Sequence, residues 1–507
     1  MSGELRFATA PGRWVIAATV LGSGISVIDS TVVGIALPSI GRGFHTSLGP
    51  LQWVVTGYTL TLGAFLLLGG SLGDRYGRKR IFMIGTAWFA LASVLCGIAP
   101  DAGLLIATRC LQGIGGALLT PGSLAILQAS FTAEDRGRAI GAWSGLGGLA
   151  AAAGPVLGGY LVTAASWRWI FFINLPVAAF VLVVSSRHVP ESRDPSSARG
   201  VDPAGAVLGV LALAGLTYLF IEGSADGWTK PLVLVSAVIG VLSAVSFLAV
   251  ERSRRDPMLP LEIFGNRQFS ATNGVTFVVY AALGGAFFLV PIELQVASRY
   301  SPLDSGLSLV PITVIMLVFS ARSGRLASRI GPRLQMSAGP LVVAAGLALL
   351  ERAASGSNYF EYVLPAVLVF GSGLAITVAP LTATAMESAP PEHAGIASAV
   401  NNDVARVAGL MAVAILPWLA GITGRSYLHP AELSSGFRAA VLISAAMCAA
   451  GGCLAALAIR NPQHLVAAAT ATAGTPGEPL RVAGADGEPL PECHYCAIDG
   501  PPLSRGS

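Results

Sequence analysis

Long apolar segments alternate with short polar connections along most of this 507-residue chain. A window of about 20 apolar residues is long enough to cross a bilayer as a helix. The pattern predicts fourteen such spans, and the chain is therefore predicted to be an all-α polytopic membrane protein. The predicted spans cover residues 14–38, 51–73, 80–99, 103–126, 138–163, 168–186, 203–222, 231–250, 269–294, 304–322, 335–351, 361–385, 394–421 and 437–459.

Composition supports this assignment and narrows the class of protein. Charged residues make up 11% of the chain, hydrophobic residues 53%, and the mean hydropathy is +0.69. Ordinary soluble domains carry about 25% charged residues, so a set of water-soluble domains is excluded. The net charge of +4 is small for this length, and it gives no reason to expect nucleic acid as a partner.

The distribution of basic residues predicts the orientation. With the N-terminus in the cytoplasm, cytoplasmic segments hold about 22 of the 31 Lys and Arg residues, external loops about 7 and membrane interiors about 2. Cytoplasmic loops normally carry this excess of positive charge. The sequence therefore predicts a multi-pass plasma-membrane protein with both termini in the cytoplasm. The preference for Arg over Lys, with many Ala and Gly residues, indicates a GC-rich genome and so favours a bacterial membrane.

A glycine- and charge-rich loop occurs twice. "GSLGDRYGRKR" begins at Gly70 and recurs in weaker form as "GRLASRIGPR" from Gly324. Repeated halves are typical of secondary transporters, in which the substrate site lies between the halves. The predicted organisation is an N-terminal six-helix bundle (1–186), a cytoplasmic linker (187–202), an inserted helix pair (203–250), a C-terminal six-helix bundle (251–460) and a disordered cytoplasmic tail (461–507).

The first copy of the loop resembles the conserved cytoplasmic loop of the major facilitator superfamily. "VIDSTVVGIALP", "RCLQGIGGA", "SWRWIFFINLP" and "GIASAVNNDVARVAG" resemble its fourteen-helix drug:proton antiporter branch, and the resemblance covers roughly residues 12–460. It implies two six-helix bundles plus an inserted helix pair. It also implies a monomer in membrane lipid, without a cofactor or enzymatic activity, that exports hydrophobic or cationic drugs in exchange for protons by alternating access.

Two other functions remain open at this point. A proton-coupled importer of a small nutrient would share the same fold. A membrane-embedded lipid or prenyl transferase would need acid or His clusters at the membrane face, and the six histidines are scattered.

In the family that the chain resembles, the loop is a latch that closes the cytoplasmic side. The acid pairs with basic groups and a helix end across the two halves. If the charges only enforce topology, neither the acid nor the glycine spacing would be needed. The residues that match this cytoplasmic gate are Gly70, Asp74, Arg75, Gly77, Arg78 and Lys79.

Few charges lie at membrane depth, where each costs about 2.5–3.5 kcal/mol. Asp29 in the first span and Arg109 in the fourth fall at similar depths by the 1.5 Å rise per residue, and Gln112 lies one turn beyond Arg109. We expect Asp29 to be the proton carrier and Arg109 to modulate it. The alternative is a permanent ion pair that only fixes two helices.

A second pair of charges lies in span thirteen. Asp403 and Arg406 are three residues apart on one helical face, next to Asn401 and Asn402. They form either a self-neutralised pair or a second proton or substrate site. The substrate-cavity candidates are Tyr58, Gln112, Asn401 and Asn402.

Span five contains "GPVLGG", with Gly154, Pro155, Gly158 and Gly159. Proline kinks a helix and glycines permit close helix packing. In the family resemblance this motif marks proton antiporters that export their substrates; the alternative is a kinked packing helix without directional meaning.

The remaining candidates have weaker signals. Glu293 ends span nine and, like Asp304, is expected to be interfacial. Cys493, His494 and Cys496 offer three ligands where structural zinc needs four, so no metal site is expected.

Overall fold

The computed structural model describes residues 5–193, 203–254, 259–355, 358–388 and 394–461, and nearly all of them are helical. Short 3₁₀ helices cover Leu261–Gly265, Glu351–Ser355 and Ser426–Leu428, and a π-helical turn covers Tyr359–Val363. The α-helices are α1 (Ala10–Phe44), α2 (Leu48–Tyr76), α3 (Arg78–Gly97), α4 (Ala102–Ser130), α5 (Ala133–Ala164), α6 (Trp169–Phe172), α7 (Asn174–His188), α8 (Pro203–Asp226), α9 (Pro231–Ser253), α10 (Arg267–Val296), α11 (Pro302–Ser308), α12 (Val310–Ile330), α13 (Pro332–Leu350), α14 (Leu364–Glu387), α15 (Ala394–Leu419) and α16 (Pro430–Ala458).

The predicted number of membrane spans is confirmed within one. Thirteen helical segments among the described residues are long and apolar enough to cross a membrane, and the bent helix α2 makes fourteen when it counts as one span. The helices extend beyond the predicted apolar windows because polar side chains cap their ends. Thr9 caps α1 and Asp101 caps α4, where its carboxylate accepts from the Leu104 backbone N–H at 2.8 Å.

Two spans are interrupted at a proline or a tight turn. Span six breaks between α6 and α7 at Ile173 because Pro176 has no N–H to donate to the carbonyl of Phe172. Span ten begins with the short helix α11 and continues as α12. The first break is important for the site, because it sets Asn174 at the start of α7.

The two copies of the loop motif have the same backbone geometry. Gly77 joins α2 to α3 with φ +115°, and Gly331 joins α12 to α13 with φ +86°. A side chain other than glycine rarely adopts these angles. The predicted internal repeat is thus visible as a matching junction in α1–α7, the first half, and in α10–α16, the second half.

The halves contact each other mainly at one end of the bundle. We call the end with residues 45–47 and 420–429 the Tyr427 face, and the end with residues 74–79 the Asp74 face. The Tyr427 hydroxyl donates to the Thr46 carbonyl at 2.9 Å, and Gln52 Nε2 donates to the Val413 carbonyl at 2.6 Å. Further hydrogen bonds join Gln295 to Ile35, Leu48 to Gly424 and Arg425 to His45.

Tyr427 is the fully buried centre of this contact. Burial raises the pKa of its hydroxyl above the ordinary value, against the smaller opposing effects of Arg42 and Arg425. The hydroxyl therefore stays protonated and remains a hydrogen-bond donor to the first half.

Helix α5 changes from tight to loose packing along its length. Near the Tyr427 face, a Cβ on Gly159 would lie 2.5 Å from the Pro302 carbonyl oxygen in the second half. Toward the Asp74 face, a Cβ on Gly141 or Gly145 would meet open space, and both glycines are exposed. Helix α5 is therefore in close contact with the second half near the Tyr427 face, but not at Gly141 and Gly145.

The inserted pair, α8 and α9, touches both halves. Trp53 in α2 donates its indole N–H to Glu222 of α8 at 2.9 Å. Trp228, which follows α8, stacks edge-on against Trp418 of α15 with ring centroids 5.0 Å apart. The pair is thus attached to the first half through α2 and to the second through α15.

Candidate functional site

A buried carboxylate, Asp29, lies near the middle of α1 and is 1% exposed. Its Oδ2 accepts a hydrogen bond from Arg109 Nη1, and its Oδ1 accepts from Gln112 Nε2 at 2.9 Å and from Asn174 Nδ2 at 3.2 Å. Ser93 Oγ in turn accepts from both amides, at 3.1 and 2.9 Å. Each hydrogen bond that Asp29 makes with the described residues comes from a donor, so this arrangement fits the ionised carboxylate.

Arg109 has partners that do not depend on Asp29. Its Nε donates to the Val54 carbonyl at 3.1 Å and its Nη1 to Gln112 Oε1 at 2.7 Å. The guanidinium also lies over the Tyr58 ring, 4.2 Å from the centroid, where cation–π attraction stabilises it. If Asp29 becomes neutral, Arg109 therefore keeps hydrogen bonds and an aromatic contact.

Five helices of the first half build this site. Arg109 and Gln112 lie three residues apart on one face of α4, and Asn174 is the first residue of α7. Helix α4 approaches α2 closely because Gly113 has no side chain; a Cβ there would overlap Thr61 and the Tyr58 carbonyl. The glycine of the "RCLQGIGGA" segment thus allows Arg109 to reach Asp29 and the α2 backbone.

Asp29 and Arg109, which the sequence predicted at similar depths, are in contact in the structure, and Gln112, a candidate for the substrate cavity, bonds to both. Asn174 and Ser93 are functional candidates that the sequence did not reveal. A single Asn or Ser in an apolar span is a weak signal, because only the packing of α3 and α7 against α1 brings them to the carboxylate.

Tyr58 belongs to this buried network instead of an open cavity. Its side chain is 3% exposed, and its hydroxyl lies 2.6 Å from Ser26 Oγ. The ring is covered because it stacks on Arg109. Gln112 is likewise buried, so neither side chain offers open surface to a substrate in this conformation.

The polar residues of α15 divide between two environments. Asn401 is buried and donates to Asn273 Oδ1 at 3.1 Å and to Thr276 Oγ1 at 2.8 Å, so it joins α15 to α10. Asn402 is exposed and bonds back to the Ser398 carbonyl.

Asp403 and Arg406 do not form an ion pair. Ion pairs in the described part of the chain include Arg78–Asp74, Arg109–Asp29 and Arg138–Asp135. Asp403 Oδ1 is buried without a hydrogen-bond partner among the described residues. Arg406 therefore acts on this carboxyl group electrostatically, without a direct contact.

The gate loop makes its contacts within its own half. Asp74 pairs with Arg78 at 2.8 Å, and Lys79 Nζ donates to the Ser186 carbonyl at 3.0 Å. Glu191, which the sequence did not single out, accepts from the backbone N–H groups of Lys79 and Arg80 at 3.1 and 3.2 Å. It occupies the N-terminus of α3, where the helix dipole favours a negative charge.

The remaining gate residues lie around this turn. Arg75 stands over the Tyr76 ring at 5.4 Å. A Cβ on Gly77 would lie 2.7 Å from the Glu191 carboxylate, whereas a Cβ on Gly70 would make ordinary contact with Pro121 at 3.6 Å. Gly77 is therefore required by its backbone angle, whereas the Glu191 side chain could move away from a Cβ.

The "GPVLGG" glycines pack closely on both halves. A Cβ on Gly154 would overlap Thr31 of α1, and one on Gly158 would lie 3.0 Å from Val32. Gly159 faces α11 of the second half, and Gly306 of α11 faces the Pro155 carbonyl in return. The motif thus forms the close contact between α5 and α11.

Glu293 lies near the end of α10, as expected for the end of span nine. Its side chain is nevertheless 0% exposed, because α10 continues to Val296 and α16 covers this part of it. Asp304 is on the surface, as expected, and bonds to Ser301 at the start of α11. Cys493, His494, Cys496 and nearly all of the predicted tail lie outside the described residues.

Comparison with known proteins identifies the relatives of this architecture. Residues 19–414 match the family model described as Major Facilitator Superfamily. The chain is 38% identical over 411 residues to the puromycin resistance protein pur8 of Streptomyces alboniger, covering 80% of this chain and 81% of that protein. It is 34% identical over 404 residues to a tetracenomycin C resistance and export protein of Streptomyces glaucescens, covering 79% of this chain and 74% of that protein.

Solved structures with the same fold are more distant in sequence. A crystal structure of a peptide transporter, POT, in complex with sulfate superimposes with a TM-score of 0.64 at 14% identity, covering 89% of this chain and 98% of that one. A D-xylose–proton symporter superimposes with a TM-score of 0.62 at 17% identity, again covering 89% and 98%.

Proposed function

Because the chain belongs to the major facilitator superfamily, we propose that it is a proton-coupled antiporter that exports hydrophobic or cationic antibiotics by alternating access. Its relatives are named for resistance to puromycin and for resistance to and export of tetracenomycin C. The observation that carries the proton coupling is the buried Asp29 carboxylate, which only donors surround.

Asp29 is the proton carrier in this proposal. An ionised carboxylate inside a membrane protein is stable only with paired donors, and protonation removes the attraction to Arg109. Arg109 tolerates this change because Val54, Gln112 and Tyr58 remain its partners. The pair can therefore separate and re-form during transport. If Arg109 had no partner except Asp29, protonation of Asp29 would leave the Arg109 charge buried and unpaired.

The two halves supply the alternating access. We assign the Tyr427 face to the outside and the Asp74 face, with both chain termini, to the cytoplasm of a bacterial cell, in agreement with the distribution of Lys and Arg. In the described conformation the drug enters from the cytoplasm or the inner leaflet while Asp29 is ionised. After the halves rock, Asp29 takes a proton from the outside and the drug leaves.

The gate loop acts in the opposite conformation. Asp74, Arg75, Arg78 and Lys79 contact their own half while the outside is closed. When the cytoplasmic side closes, these charges become available to the second half as a latch. The protein works as a monomer embedded in membrane lipid and needs no cofactor.

Asp403 is the candidate for recognition of a positive substrate. Its Oδ1 lacks a hydrogen-bond partner among the described residues, and the neighbouring Asn402 is exposed. A cationic group of a drug would satisfy the carboxylate at the cost of its own hydration. A neutral compound would not need this interaction.

Everted membrane vesicles from cells with and without the gene test the proposed function. With a proton gradient across the membrane, vesicles that contain the protein should accumulate puromycin or a planar cationic dye, and a protonophore should abolish this accumulation. Accumulation that survives the protonophore but stops on ATP depletion would exclude proton coupling. Proton-driven loss of these compounds from preloaded vesicles would indicate import instead.

Asn174→Ala should move the pH dependence of export to higher pH by about one to two units. The variant removes one donor from the ionised Asp29, and a hydrogen bond to a charged group contributes about 1.5–3 kcal/mol, where about 1.4 kcal/mol equals one pH unit. The measurement is the initial export rate of reconstituted protein as a function of pH.

Ser93→Ala is the matched control, because Ser93 bonds to Gln112 and Asn174 but not to Asp29. It should move the profile less than Asn174→Ala. Equal profiles for wild type and Asn174→Ala would show that Asn174 does not position the carrier.

A further inference from the structure

A second fully buried carboxyl group, Glu293, lies near the end of α10 at the Tyr427 face. Its Oε1 accepts a hydrogen bond from Ser434 Oγ of α16 at 2.7 Å. Its Oε2 is buried and has no hydrogen-bond partner among the described residues. The mechanism above gives this residue no role.

The surroundings of Glu293 provide little to stabilise a negative charge. Arg438, one turn after Ser434 on α16, is the described charged residue that acts on it electrostatically. Arg438 is itself exposed, and the hydrogen bond to the carboxyl group comes from Ser434. Asp29, in contrast, has three donors, one of them a buried guanidinium.

The hydrogen bonds of Glu293 fit its neutral form. An ionised carboxylate accepts at both oxygens, and an unsatisfied charged oxygen in a buried site is expensive. A protonated carboxyl group leaves the same oxygen without a partner at a much smaller cost, because it buries no charge. One conformation thus contains two buried carboxyl groups of opposite character, Asp29 with full donor contacts and Glu293 without them.

Glu293 also lies next to a contact that closes the Tyr427 face. Gln295, two residues further along α10, donates to the Ile35 carbonyl of the first half at 2.8 Å. Ser434 belongs to the same half as Glu293, so its hydrogen bond survives when the halves part. Separation of α10 from α1 therefore brings water to the carboxyl group without disturbing its one partner.

We propose that Glu293 is a second proton-binding site, which holds its proton while the external side is closed and exchanges it with the external medium when that side opens. This proposal rests on the assignment of the Tyr427 face to the outside, but not on the identity of the drug. A group that binds a proton more tightly in the closed state makes closing proton-dependent. External acidification therefore favours closure. In the pH range where Glu293 is ionised in the open state, the ratio of closed to open protein rises by up to about tenfold for each unit by which the pH falls.

The chemistry distinguishes this site from the Asp29 carrier. Asp29 binds a proton only when Arg109 moves away from it. Glu293 loses its proton only when water reaches the carboxyl group. The first group couples protons to the drug. The second decides at which external pH the outer side closes again.

The test is a distance measurement across the Tyr427 face at several pH values. Spin labels replace Thr163 at the end of α5 and Glu432 at the start of α16, both exposed, in full-length protein whose native cysteines have been replaced and whose transport is retained. In lipid nanodiscs, the closed population of this protein should rise as the pH falls from mildly alkaline to mildly acidic. Glu293→Gln should be closed at every pH, because its side chain stays neutral.

Two further variants separate this result from other causes. Asp29→Asn should keep the pH response of the labels although it loses uphill transport. Loss of the Asp29 carrier and loss of the Glu293 proton site therefore give different results. Ser434→Ala should shift the response to higher pH, since the ionised form loses its donor. A pH response unchanged by Glu293→Gln, or no response in the parent protein, would overturn the proposal.

Infrared spectroscopy provides a measurement that does not depend on the labels. The closed protein should show a carbonyl band of a neutral carboxyl group that Glu293→Gln lacks. The same spectrum in both proteins would mean that Glu293 is ionised when buried, and the proposal would fail.

Discussion

Asp29→Asn should abolish uphill export while leaving downhill exchange of the drug intact. The membrane field supplies about 2.3 kcal/mol per charge per 100 mV, and one pH unit about 1.4 kcal/mol. One proton can therefore sustain a gradient of a neutral drug of roughly 500-fold, and without the carrier this ratio falls to one. Gln112 and Asn174 still have acceptor and donor groups to bond with the amide, so the site should remain folded.

Proteoliposomes loaded with drug provide both measurements. Counterflow, which needs no proton, reports whether the variant still binds drug and changes conformation; net accumulation against an imposed proton gradient reports coupling. Glu222→Gln is the matched control, because it neutralises another carboxylate of a membrane helix while the amide still accepts from Trp53. Full accumulation by Asp29→Asn would mean that another group carries the proton.

Gly159→Ala should destabilise the closed state of the Tyr427 face. The new methyl group would lie 2.5 Å from the Pro302 carbonyl oxygen, and a backbone atom cannot move aside as a flexible side chain can. Overpacking typically costs about 1–3 kcal/mol. This cost lowers the ratio of closed to open protein by about 5- to 150-fold. The distance between labels at Thr163 and Glu432 measures this population.

Gly141→Ala is the control for this prediction, since it makes the same change on the same helix. Its methyl group enters open space, and we expect the wild-type distance distribution. If both variants give that distribution, the contact between α5 and α11 does not determine closure, and the predicted antiporter motif has no structural role at this face.

The fold was predictable from the sequence because each span is a local property of the chain. Apolar length fixes a helix that crosses the membrane, and the repeated glycine pattern fixes the matching junctions at Gly77 and Gly331. The windows missed the full length of α1 and α4 because their ends depend on capping side chains and not on hydropathy.

The core of the candidate site was predictable for a related reason. The rise along a helix is regular, so Asp29 and Arg109 could be placed at one depth from their distances to the span ends. Depth alone does not say which faces of different helices meet. Asn174 and Glu191 therefore escaped notice, and Tyr58 was assigned to a cavity although it packs on Arg109.

The burial of Glu293 was also not predictable from its position along a span. Its position at the end of a predicted span favours an exposed carboxylate, which is the usual outcome. Burial came from α16, a helix that begins more than 130 residues later and donates through Ser434. No pattern near Glu293 itself carries that information.

The attachment of the inserted pair constrains how fast the transporter can turn over. Glu222 holds α8 to the first half through Trp53, and Trp228 holds the same hairpin to the second half through Trp418. Relative rotation of the halves must stretch or slide one of these contacts in every cycle. We therefore expect the hairpin to slow the relative motion of the halves, and a variant that lacks the Trp418 ring to change conformation faster.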